Sequence, residues 1–136
     1  MIKKIVRPLP LPLPADWAVL LLRLGTSLLM LRYGYAKLES YLAGDTGFAD
    51  PFGWGEEASL VLTIGAEVGC SLLLILGAGT RLVLIPLIVT MLVAFFVIHA
   101  DDPFDQREHP LVFLIPYLAL LLTGPGRFSL DQRLFG

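Results

Sequence analysis

ASLVLTIGAEVGCSLLLILG, residues 58–77, is a twenty-residue apolar run with a single carboxylate, Glu67, near its centre. At 1.5 Å per residue a helix of this length spans the ~30 Å hydrocarbon core of a bilayer, with Glu67 roughly 15 Å from either end. A carboxylate at that depth costs on the order of 2.5–3.5 kcal/mol on insertion scales, so it is expected to face other helices and to have a partner there. Thr63, Cys70 and Ser71, at helical spacing from Glu67, extend it into a narrow polar stripe on an otherwise apolar rod.

The rest of the chain has the same character. It has 136 residues, 56% of them hydrophobic, with a mean hydropathy of +0.76. That is too apolar for a water-soluble domain of this size and predicts an all-α, integral membrane, antiparallel four-helix bundle. The net charge of −2 gives no reason to expect nucleic acid as a partner. A single cysteine, Cys70, excludes an intrachain disulfide and a redox dithiol. No metal site is expected, since His99 and His109 are the only histidines and a loop separates them. The first long apolar run starts at Trp17 without a short h-region and small-residue cleavage site, so no cleavable signal peptide is expected.

Three parts are expected: a basic, proline-rich leader (1–15), a four-helix transmembrane domain (16–126) and a cytoplasmic tail (127–136). In the leader, leucine and proline alternate after Lys3, Lys4 and Arg7, which blocks helix and favours an extended segment. The first helix is expected at Asp16–Lys37, capped by Asp16. Arg23, Thr26, Ser27, Met30, Gly34 and Lys37 share one of its faces, and Arg32 points the opposite way. A loop over 38–57 follows, acidic but carrying Phe48, Phe52 and Trp54, which suit a membrane surface. Further helices are expected at 58–77, 80–99 and 109–123, the last kinkable at Pro116. With the first and second helices as antiparallel neighbours, Arg23 and Glu67 come out at similar depth, and their pairing is the expected polar centre. Tyr33, Tyr35, Lys37, His99, Asp101 and Asp102 gather at the opposite mouth.

In that order the chain resembles the DoxX-like family of small four-helix membrane proteins. The resemblance rests on Arg23-Leu24-Gly25, Tyr33-Gly34-Tyr35-Ala36-Lys37-Leu38, Glu67 with Gly69, and Leu74-Ile75-Leu76-Gly77 with Thr80-Arg81. It continues through Ala94-Phe95 with His99 and through Gly124-Pro125-Gly126-Arg127-Phe128-Ser129-Leu130-Asp131. Tyr33 departs from the pattern, which has histidine before the glycine. The resemblance implies a membrane subunit of an oxidoreductase system, with quinone as the cofactor-like ligand and protein partners in an oxidoreductase assembly. Combined with the buried polar stripes, it makes Arg23, Glu67, Lys37, Tyr33 and His99 the candidate ligand-binding residues, holding a quinone or another small hydrophobic ligand between helices. Catalytic residues are not identifiable, and no covalent cofactor is expected. The alternative is a non-catalytic scaffold or assembly factor that recruits soluble redox or stress-response partners. In either case the lipid bilayer is an expected partner, and a homo-oligomer is compatible with both.

Basic residues set the expected orientation in a bacterial-type inner (plasma) membrane. Lys3, Lys4, Arg7, Arg81, Arg127 and Arg133 fall on one side, against Lys37 and Arg107 on the other. The positive-inside rule therefore puts both termini in the cytoplasm. Single cysteines introduced at positions 3 and 133 of a Cys70→Ala variant should resist impermeant thiol reagents added from outside, while one in the 38–57 loop should react. Labelling of 3 or 133 from outside alone reverses the topology.

Overall fold

The computed structural model describes residues 10–135, so most of the expected leader (1–9) lies outside the described residues. Helix α1 starts at Leu13 and runs to Leu42, with Pro14 in its first turn, where its missing N–H has no intrahelical partner to lose. It is longer at both ends than the expected 16–37. At about 45 Å it exceeds the hydrocarbon core.

After the 43–55 loop, α2 covers Glu56–Leu76 and α3 covers Thr80–Ile98. Each contains a π-helical turn, Gly65–Cys70 within α2 and Ala94–Ile98 at the end of α3. Helix α4 runs Phe104–Thr123 through Pro110 and Pro116, starting a turn earlier than expected, and α5 is the short Leu130–Phe135. The described residues contain no strand.

Three helices, α1, α2 and α3, are long and apolar enough to cross a membrane. Helix α4 differs because Asp105, Arg107, Glu108 and His109 occupy its first turns. Only Pro110–Thr123 remains apolar, about 21 Å of helix. Helices α1 and α3 each pack against both α2 and α4. The seams are filled by Met30, Leu74, Leu84, Leu87, Leu114, Tyr117 and Leu120, all buried.

Polarity is distributed inside-out. Leu21, Leu28, Leu62, Leu72, Ile85 and Leu122 are exposed, whereas Arg23, Ser27, Glu67, Ser71, Thr80 and Asp131 are buried. In water so much exposed leucine would be an aggregation surface, while against lipid it costs nothing.

One cluster ties the chain ends together. The Arg23 guanidinium, 2% exposed, donates to the carbonyls of Pro125, Phe128 (2.7 Å) and Ile75 (3.3 Å). Asp131 accepts from the Gly79 and Thr80 N–H groups at 2.7 and 2.9 Å, capping the start of α3 where a carboxylate also complements the helix dipole. Asp16 does not cap α1, which has already begun three residues before it. Its carboxylate instead accepts from the Arg127 N–H at 3.0 Å. The segment after α4 is thus packed onto the ends of α1, α2 and α3 rather than trailing away. Gly77, at φ +70°, is required twice: the backbone is left-handed, and a Cβ would overlap Ser129.

Asp131→Asn should cost about 1.5–3 kcal/mol, the worth of charge-assisted bonds to buried donors. Arg23→Gln and Gly77→Ala should also destabilise. Arg127→Gln, whose side chain is mostly solvated and 4.0 Å from Asp16, should cost under about 1 kcal/mol. Thermal melts of the detergent-solubilised variants, followed by circular dichroism, check the ranking.

Candidate functional site

The antiparallel register of α1 and α2 is fixed by two contacts. Arg23 lies level with Ile75, and Gly34 lies against Glu67 and Val68. A Cβ on Gly34 would come within 2.8 Å of Val68 Cγ2 and 2.9 Å of Glu67 Cβ, so only glycine lets the backbones approach this closely. Arg23 and Gly34 are eleven residues apart, about 16 Å along α1. The expected Arg23–Glu67 pair is therefore not formed. Helix α1 continues five residues beyond its expected end, and this slides Arg23 away from the level of Glu67 towards the α2–α3 turn.

Glu67 pairs with Lys37 instead. Lys37 Nζ lies 2.7 and 2.8 Å from the two carboxylate oxygens, one turn along α1 from Gly34. The Glu67 side chain is 4% exposed and that of Lys37 29%, so the lysine connects a buried acid to the protein surface. Glu67 sits within the π-helical turn Gly65–Cys70. Such a turn widens the helix by one residue and commonly marks a functional position.

Around this pair, α4 contributes aromatic and titratable groups. His109 lies within electrostatic range of Glu67. Its ring meets Tyr33 edge-on at 4.5 Å between centroids, and Phe113 packs against both. An imidazole therefore stands beside Tyr33, supplied by α4 rather than by α1. Tyr117, fully buried, lies within range of Glu67, and its hydroxyl faces Ser71 without a well-formed hydrogen bond. Among the described residues, the fully buried hydroxyls of Ser27 and Ser71 have no well-formed hydrogen bond, and the same holds for Arg23 Nε and the Thr80 hydroxyl in the chain-end cluster.

Of the five residues expected to bind ligand, Lys37, Glu67 and Tyr33 belong to this neighbourhood. Arg23 belongs to the chain-end cluster. His99 is occupied locally, with Nδ1 2.6 Å from Asp102 Oδ2 just past the end of α3. Sequence reasoning passed over His109 and Tyr117. Each is a polar ring on an apolar helix, and counting from His109 by helical turns (109, 113, 117) aligns both with Phe113 on one face.

The site combines a buried carboxylate, a primary amine, an imidazole and uncommitted hydroxyls. It can donate to a carbonyl oxygen from Lys37, Tyr117 or Ser71, and can exchange a proton through Glu67 or His109.

Comparison with known proteins gives a consistent picture. The DoxX family model matches residues 18–100, from the start of α1 to the end of α3. A Haemophilus influenzae protein described as uncharacterized is 31% identical over 124 residues, covering 79% of this chain and 82% of its own length. No solved structure matches the chain.

Lys37→Met and Glu67→Gln should each destabilise the protein by about 1–3 kcal/mol, between the limits for exposed and fully buried pairs. The double variant should cost less than the sum of the two. Arg23→Gln combined with Glu67→Gln should be additive within about 0.5 kcal/mol, because the two groups share no partner. Denaturant midpoints across both mutant cycles measure these couplings.

Proposed function

This chain belongs to the DoxX family, and on that premise we propose that it is a membrane subunit of an oxidoreductase system, with a site for the head of a quinone-class ligand at Lys37–Glu67. In this reading α1–α4 form an antiparallel four-helix bundle in a bacterial-type inner membrane, with α4 as its shortest member and both termini in the cytoplasm. The observation that carries the reading is Glu67. The acid is held in a π-helical turn near the middle of α2, beside the buried Tyr117 and Ser71 hydroxyls, which form no well-aligned hydrogen bond.

Those hydroxyls suit a ligand with carbonyl oxygens. Tyr117 or Ser71 can turn from their weak mutual contact to donate to it, and Lys37 can turn one of its three N–H bonds from Glu67 to the ligand. A bound quinone would supply the two-electron, two-proton couple. Glu67 and His109 would take up or release the protons, and the partly exposed Lys37 would link them to the aqueous side. Electrons would come from protein partners.

A second reading, a non-catalytic scaffold recruiting soluble redox or stress-response partners, is favoured by one fact. Both Glu67 oxygens are already engaged by Lys37, as a purely architectural pair would have them. Organic extraction of protein purified in mild detergent separates the two. The first reading expects close to one quinone per chain, reduced several-fold in Glu67→Gln and Tyr117→Phe while helical circular dichroism persists. No bound quinone, or equal amounts in all three proteins, leaves the scaffold.

A further inference from the structure

A cavity of about 330 Å³ lies between α2, α3 and the 43–55 loop, at the low end of the range for small-molecule sites. Phe48, Phe52 and Trp54 of the loop face Leu62 of α2 and Val89 and Val93 of α3 across it. The loop is held in place, since Asp50 accepts from the Gly55 N–H at 3.1 Å and from the Ser59 hydroxyl at 3.3 Å. Phe52 and Trp54, both lining the cavity and both exposed, pack against each other at 4.9 Å between ring centroids.

The wall has three hydroxyls, and each proton is committed. Ser59 donates to Asp50, Thr63 to the Ser59 carbonyl (2.8 Å) and Thr90 to the Pro86 carbonyl (2.7 Å). Unlike the hydroxyls near Glu67, none is left to recognise a polar atom. No lysine or arginine occurs between Leu38 and Thr80, whereas Asp50, Glu56 and Glu57 border the loop. An anionic headgroup at the opening would meet like charge. Both helices of the wall are apolar enough to cross a membrane, so a hydrocarbon chain can enter from the bilayer without passing through water.

We infer that this cavity binds the hydrocarbon chain of an uncharged bilayer lipid, whose head rests outside the Phe52–Trp54 pair. The site is separate from Glu67, which is turned towards α1 on a different face of α2, and the inference does not depend on what binds there.

The two tryptophans provide the test. Trp17 stacks on Phe128 at the opposite end of the molecule, so a Trp17→Phe variant reports from Trp54 alone. In detergent, dibrominated stearyl alcohol should quench that fluorescence saturably, unbrominated alcohol should reverse the quenching, and dibrominated stearic acid at neutral pH should bind several-fold more weakly. Val89→Phe, which fills the cavity, should abolish the saturable phase, and Leu62→Phe should do the same if Val89→Phe fails to fold. Quenching that rises linearly with mole fraction, resists competition and persists in the filled variants would overturn the site. Equal binding of alcohol and acid would overturn its preference for an uncharged lipid.

Discussion

The arrangement depends on satisfying the Arg23 guanidinium inside an apolar protein. Arginine stays charged under any condition the protein meets, so its N–H groups must find acceptors wherever the helix places them. Helical carbonyls are already engaged within their helices, and free ones exist only where helices end. The Arg23 donors accordingly go to Ile75, in the last turn of α2, and to Pro125 and Phe128, in the segment that leaves α4. That segment has to fold back over α1 and α2, which the positive-φ glycines Gly124 and Gly126 allow. Asp131 follows on the same return path, close enough to offset the Arg23 charge while capping α3. One cation thereby determines how four helix ends meet.

The second charged centre is built differently. Around Arg23 three backbone carbonyls and the Asp131 carboxylate are engaged, while Arg23 Nε and the Thr80 hydroxyl have no partner among the described residues. Around Glu67 the acid is paired, the Tyr117 and Ser71 hydroxyls face each other without a well-formed hydrogen bond, and Lys37 reaches towards the surface. The first cluster joins the chain ends, whereas the second holds a paired acid whose lysine partner is partly exposed. About 16 Å of α1 separates them, so the first can hold the helices in register without constraining the chemistry of the second.

Much of this was legible in the sequence, for identifiable reasons. The apolar runs gave the helices, and the shared face of Arg23, Ser27, Met30, Gly34 and Lys37 is buried except for part of Lys37. The expected and observed partners of Glu67 differ because depth in a helix pair depends on where each helix stops. Nothing in the stretch Leu38–Leu42 forbids helix, and no glycine or proline marks the end before Gly44. The buried role of Asp131 was hidden for another reason. A carboxylate near a chain end reads as solvated unless the carbonyl demand of Arg23, more than a hundred residues away, is known. Membership of His109 and Tyr117 in the site is a matter of helix–helix packing, which periodicity within one helix does not report.

The π-helical turn in α2 has a consequence for how this helix tolerates change. One extra residue is accommodated between Gly65 and Cys70, so the segment before it and the segment after it follow different angular phases. Glu56–Ile64 presents Leu62 and Thr63 to the cavity, while Ser71–Leu76 presents Leu74 and the Ile75 carbonyl to the core and to Arg23. Either half can acquire substitutions that suit its own neighbours without disturbing the other. Loss of a single residue between them would put the two halves back in one phase and rotate one of them by about 100°. In this helix chain length is a stricter requirement than side-chain identity.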